Sequence, residues 1–291
     1  MANDILIPTA VRRDWLCETT TLFFGGRKVR LETVRLNQGE SLYPDTPHAQ
    51  IRDLNTDKII STCMHGFWLQ HAFVRKDWFY VFGTDYYGIW MIRSFDLHEW
   101  SAPQMVFNSE NSTEIHYQNN TIVHNGEYFV MGLDLLGGPY NFTVCFARSF
   151  DLQEWHYIPG AVYKPRFYTS CPFLLFRDGW YYLFHVRMHD GGYHTFAARS
   201  SDLLVWEDSP HNPILSPAPD DVMKNKNPEE KKQYNVINAS DIYLWEEDGK
   251  TYADYHVGDQ QGYPPDRGPI PYIRRAEFNG PMSGFLEKLF N

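Results

Sequence analysis

Two carboxylates stand at matching places in this chain. Glu18 lies eight residues before the turn glycine Gly26, and Asp241 lies eight residues before Gly249. Two acids facing one cleft can cleave an acetal: one protonates the leaving oxygen, and the other serves a water or the anomeric carbon. Unequal burial would divide the roles between them. Asp241 is read as base or nucleophile and Glu18 as acid, with the reverse order left open. Asp85, Asp134 and Glu114 are acids in reserve.

A second set of residues could read hydroxyl groups. Amides, carboxylates and imidazoles each offer paired donors and acceptors. Trp68, Gln70, His71, His116, Asn119, Asn120, Ser170, His185, Arg187 and His256 fall at comparable places along the chain, with Asp134 beside them. They are read as substrate-binding. Some of the histidines could tune a neighbouring carboxylate. Cys171 falls among them, but a thiolate nucleophile needs a base or metal at its side. Nothing in the spacing supplies one.

These residues are scattered, so a fold must gather them. A repeat names that fold. Arg93-Ser-Phe-Asp-Leu-His-Glu-Trp100 recurs as Arg148-Ser-Phe-Asp-Leu-Gln-Glu-Trp155 and as Arg199-Ser-Ser-Asp-Leu-Leu-Val-Trp206. Between and around the copies run five hairpins, Thr20–Glu32, His71–Gly83, Thr121–Gly132, Pro172–His185 and Asp241–His256, several turning on Asn-Gly or Asp-Gly. That dipeptide between apolar runs is a strong hairpin signal. Four strands in each unit of about 50 residues is the pattern of propeller blades.

The chain is therefore expected to be all-β, a single five-bladed β-propeller over residues 1–291. The N-terminal hairpin 18–36 should contribute to the closing blade, and 207–236 reads as an insertion. The Ser-Asp-Leu-x-x-Trp corner is structural: its Asp should bond backbone amides and its Trp should fill the gap between blades. The first strand of each blade would line the axis, so strand starts and the loops after second strands would share one mouth.

Composition narrows the function. Net charge is −10, with no basic stripe, so no nucleic-acid partner is expected. No apolar run approaches the length of a membrane span, and the N-terminus shows no secretory signal pattern. A cytoplasmic protein with no membrane partner is expected. The four cysteines form no metal-site spacing and no disulfide framework, and no cofactor is expected. Aromatics reach 16% of residues, which suits strands and the stacking of sugar rings. A small carbohydrate is the expected partner.

The corners and hairpins such as Phe173-Leu-Leu-Phe-Arg-Asp-Gly-Trp-Tyr-Tyr-Leu-Phe184 resemble those of the five-bladed glycoside hydrolases, family 43 and its arabinofuranosidase, xylosidase and fructosidase relatives. The resemblance implies an exo-acting glycosidase on a small oligosaccharide or glycoside. It also implies three axial carboxylates, and a divalent cation such as calcium that some relatives hold on the axis. The positions matched to the three acids read Gln70 or His71, Asn120 and Ser170. Ser170-Cys171-Pro172-Phe173 stands where Glu-Gly-Pro-His is typical of the family. That departure leaves a second reading open, a non-catalytic carbohydrate-binding propeller without the acidic triad.

Overall fold

A computed structural model describes residues 5–35, 46–85, 87–108, 115–137, 142–164, 166–230, 237–258 and 268–291. The first strand, β1 (Ile7–Asp14), is set aside until the ring closes. The first blade follows as β2 (Thr19–Phe24), β3 (Arg27–Val34), β4 (His48–Asp53) and β5 (Lys58–Cys63). The second is β6 (Trp68–Arg75), β7 (Trp78–Thr84), β8 (Gly88–Ser94) and β9 (Gln104–Asn108). The third is β10 (His116–His124), β11 (Phe129–Leu136), β12 (Thr143–Ser149) and β13 (His156–Tyr163). The fourth is β14 (Ser170–Arg177), β15 (Trp180–His189), β16 (Gly192–Ser200) and β17 (Glu207–Asp208). The fifth holds β18 (Asn238–Glu247), β19 (Lys250–Gly258) and β20 (Tyr272–Phe278), and β1 returns to it as the outermost strand, antiparallel to β20. Helix α1 (Met282–Phe290) ends the chain.

Each blade is a four-stranded antiparallel sheet, and the inner strands β2, β6, β10, β14 and β18 neighbour one another in turn, with β18 beside β2. This is a five-bladed β-propeller. The first blade is complete within residues 19–63. The strand that joins the two ends of the chain is β1, and Leu6 just before it is fully buried. The polar pattern of β1 hides it in the sequence: most of its residues are exposed, as an edge strand allows.

Local chemistry explains the blades. The hairpin turns at Gly25-Gly26, Asp178-Gly179 and Asp248-Gly249 have positive φ at both residues, as a two-residue turn matched to strand twist requires. The repeated corners behave alike. Ser94 Oγ accepts from Leu97 N at 2.9 Å, and Asp96 Oδ1 accepts from His98 N at 2.8 Å and Glu99 N at 2.9 Å. The corners at Asp151 and Asp202 repeat these bonds. Asp53 makes the same turn in the first blade, accepting from Asn55 N and Thr56 N, although the sequence there lacks the repeat.

Four of the joints between blades are apolar. Trp155 packs with Phe107, Tyr117 and Leu152 between the second and third blades, and Trp206 lies against Phe146 and Tyr163 between the third and fourth. Helix α1 inserts Phe285 and Leu289 into the joint of the fourth and fifth. The closing joint, between fifth and first blades, is ionic. Glu32 is fully buried there and accepts from Arg30, from Arg52 Nε at 2.9 Å and from Gln50 Nε2 at 2.7 Å, and Arg30 reaches Asp254 of the fifth blade at 3.9 Å.

Candidate functional site

The inner strands do not enter the axis as regular pleats. In β6, β10, β14 and β18 the pairing slips between Trp68 and His71, Tyr117 and Asn120, Ser170 and Phe173, and Ser240 and Tyr243. Leu69, Cys171 and Asp241 sit inside three of these bulges with φ of 51°, 52° and 50°. Left-handed backbone is costly for residues with a Cβ, and bulges of this kind re-aim side chains next to functional sites. Here the bulges turn Leu69, Asn119, Cys171 and Asp241 to the axis. Glu18, at the threshold of β2, completes the ring of five.

Those five residues lie between two cavities. The upper one, about 430 Å³, is also lined by Arg35, Trp68, Gln118, Phe142, Tyr168, Ser170 and Tyr193. That size is ordinary for a small-molecule site. The lower one, about 40 Å³, is lined further by Thr19, Thr20, Gln70, His71, Asn120 and Tyr243 among others. Glu18 and Asp241 thus face the same space from the two blades that meet at ring closure.

Glu18 does not stand alone. Arg35, at the end of β3, donates from Nη2 to Glu18 Oε1, and Glu18 keeps the guanidinium firmly charged despite the burial that opposes it. Glu18 Oε2 is buried without a hydrogen-bond partner among the described residues. Asp241 Oδ2 accepts from Ser240 Oγ at 2.6 Å and lies 3.7 Å from His256 Nδ1. The Cys171 thiol is pushed well up by burial, then by the charges of Asp241 and Asp134 beside it. It is a poor nucleophile at neutral pH.

Asp134 lies behind this wall rather than in it. It is fully buried on β11, and its Oδ2 accepts from Asn119 Nδ2 at 3.3 Å, from Cys171 N at 3.2 Å and from Ser170 Oγ. Burial lifts its carboxyl to about 6, against the pull of those donors. One buried acceptor therefore pins the tips of β10 and β14. In the same cavity Phe142, Tyr168 and Tyr193 form an aromatic run, with Tyr168 5.0 Å from Phe142 and 5.2 Å from Tyr193 between ring centroids.

The other sequence-read residues divide by place. Trp68, Asn119 and Ser170 line the upper cavity, and Gln70, His71 and Asn120 line the lower. Burial drops the His71 imidazole to about 3, so it is neutral. His256 is buried behind Asp241. His185 is buried and lies 3.1 Å from Tyr163 Oη, and Arg187 stacks on Phe167 and Phe196; neither lines these cavities. His116 meets Tyr87 outside them. Asp85 caps its own turn through Tyr87 N and Gly88 N, and Glu114 falls outside the described residues.

The register matters for the resemblance. On the second, third and fourth blades Leu69, Asn119 and Cys171 line both cavities, while Gln70, His71 and Asn120 line the lower one alone and Ser170 the upper one alone. The bulge thus presents neighbouring residues of each strand to the axis. Arg35, Phe142 and Tyr193 were missed because they lie just past a second strand, in a loop and at the start of a third strand, where a single arginine or ring carries no pattern. As for a divalent ion, no group of three or more His, Cys, Asp or Glu among the described residues is arranged to hold a metal.

The fold and cavity define a class: five-bladed β-propellers with a polar axial pocket walled by acids, amides and rings. No family signature and no curated protein sequence matches the chain. Solved structures do match it in fold. The GH43 protein BlXynB from Bacillus licheniformis is 18% identical, with a TM-score of 0.59 over 93% of this chain and 53% of that one. The chain thus spans about half the length of that protein. An N-acetylgalactosamine deacetylase from F. plautii, solved with blood group B trisaccharide, is 11% identical with a TM-score of 0.67 over 98% of both chains. The α-L-arabinofuranosidase PaAbf62A from Podospora anserina, solved with cellotriose, is 10% identical with a TM-score of 0.63 over 96% of both. The chain has the propeller fold of the family 43 and family 62 glycoside hydrolases. No helix among the described residues is long and apolar enough to cross a membrane.

Proposed function

We propose that the protein is a glycoside hydrolase, exo-acting on a small oligosaccharide or glycoside held in the upper cavity. One observation carries the reading: Glu18 and Asp241, some 220 residues apart in sequence, line one cavity of about 430 Å³ together with Phe142, Tyr168 and Tyr193. A sugar ring would stack on Phe142, Tyr168 or Tyr193 while Asn119, Gln118 and Ser170 bond its hydroxyls.

The ion pair with Arg35 favours one order of roles. Glu18, paired with Arg35, is assigned the part of base or nucleophile, and Asp241 that of the acid at the leaving oxygen. This reverses the order read from sequence. The enclosed cavity strengthens each of these interactions by excluding water.

A specific observation supports the second reading, a carbohydrate-binding propeller without turnover. The axial residues of three consecutive blades are Leu69, Asn119 and Cys171, none of them an acid. A panel of aryl glycosides, furanosides included, separates the readings when each compound is followed by product release and by calorimetric binding. Release of aglycone from a subset is expected. Binding without release from any would leave the second reading, and neither binding nor release would remove both.

A further inference from the structure

The lower cavity gathers four buried oxygens that have no hydrogen-bond partner among the described residues: Glu18 Oε2, Thr19 Oγ1, Gln70 Oε1 and Asn120 Oδ1. All four residues are more than nine-tenths buried. Their orientation is fixed. Gln70 Nε2 donates to Phe67 O at 2.5 Å and Asn120 Nδ2 to Leu69 O at 3.2 Å, so each amide's oxygen end is turned elsewhere. Glu18 spends Oε1 on Arg35 and leaves Oε2. The lining also carries donors, among them the hydroxyls of Thr19, Thr20 and Tyr243 and the Asn119 amide, but no described group bonds these oxygens, which still need donors. A buried acceptor left without a donor is costly. A cavity holds a water once about 10–15 Å³ is open to it and two to four polar partners are in reach. At about 40 Å³ this chamber meets both conditions.

We propose that the axial chamber beneath the substrate cavity is a binding site for ordered water, which donates to Glu18 Oε2, Gln70 Oε1 and Asn120 Oδ1 and so fixes the Glu18 carboxylate from below. Water supplies two donors per molecule, and about two molecules fit the volume. Glu18 is then held on both oxygens, by Arg35 above and by water below, which sets the direction it presents to a ligand. The proposal rests on the chamber's geometry and stands whether or not the upper cavity hydrolyses its ligand.

Two measurements test it. A crystal structure of the wild-type chain should show density in the chamber at about 2.7–3.0 Å from Glu18 Oε2 and at least one of the two amide oxygens, the spacing of hydrogen-bonded water. Magnetic relaxation dispersion of solvent ¹⁷O should count long-lived buried waters, and Asn120→Leu together with Gln70→Leu should lower that count. A peak ringed by six or more oxygens at about 2.3–2.6 Å would mark a cation and overturn the proposal. So would a chamber without density, or a water count that the variants leave unchanged while both remain folded by circular dichroism.

Discussion

Arg35 donates to Glu18 across the mouth of the first blade, from the end of its second strand to the threshold of its first. The Glu18 side chain is 10% exposed and that of Arg35 is 41% exposed. An arginine on the cavity lip therefore compensates a carboxylate on its floor. Arg35→Met leaves that carboxylate with its charge stranded, and it should cost about 1–3 kcal/mol in urea unfolding, towards the lower end because water reaches Arg35. Arg35→Met with Glu18→Gln should recover most of the loss. A double variant as unstable as the single one would mean that the pair does not matter to folding.

Asp134 should give the protein a pH signature. Its carboxyl is held up near 6, so the folded state keeps a proton that the unfolded chain loses around 3.8. In that window the folded state binds more protons than the unfolded, and stability must fall as pH rises from about 4 to 6, then level off. Cys171, Asp241, Cys145 and Tyr168 are the titratable groups that sense or face it. Asp134→Asn should flatten this slope. The comparison is made by denaturant unfolding of both proteins at several pH values across the window, and identical slopes would contradict the assignment.

Glu32 at the closing joint should behave in the opposite sense. Burial pushes its carboxyl up, but Arg30 and Arg52 together outweigh that and hold it below the ordinary glutamate range. Its contribution is present above the unfolded value near 4.5 and is lost as pH falls through the lower folded value. Glu32→Gln strands two nearly buried guanidinium groups and should cost about 3–5 kcal/mol. The same change should raise the acid midpoint of unfolding. A variant as acid-resistant as the wild type would show that the ring closes by other means.

How much of this was legible in the residues varies by element. The five hairpins and the three corners lie where the repeat and the Gly-containing turns place them, because turn chemistry and alternation are local. Strand β1 was not legible: an exposed edge strand that pairs with β20 over 250 residues away has no apolar period to reveal it. The gathering of Glu18 and Asp241 followed from counting back to the turn glycines. That Leu69, Asn119 and Cys171 line both cavities did not, since a bulge brings an extra side chain of the strand to the axis and leaves no mark in composition.

Cys171 offers an independent check on the ring. It is half-buried in the cavity wall, while Cys17, Cys63 and Cys145 are buried. A thiol reagent should therefore modify one equivalent in the native protein. Because burial and the neighbouring acids push the thiol well up, the rate should still be climbing at pH 9. A sugar that occupies the upper cavity should slow the reaction. Labelling of two or more thiols without unfolding, or no protection by any ligand that binds, would contradict the placement.

The central claim is that Glu18 and Asp241 act on one ligand in one cavity. Its most direct test is turnover of the best aryl glycoside by the wild type, by Asp241→Asn and by Glu18→Gln, with thermal unfolding as the control. Each single substitution should lower kcat by at least about 100-fold, the usual contribution of a positioned acid or base, while the fold persists. Wild-type turnover in either folded variant would contradict the account.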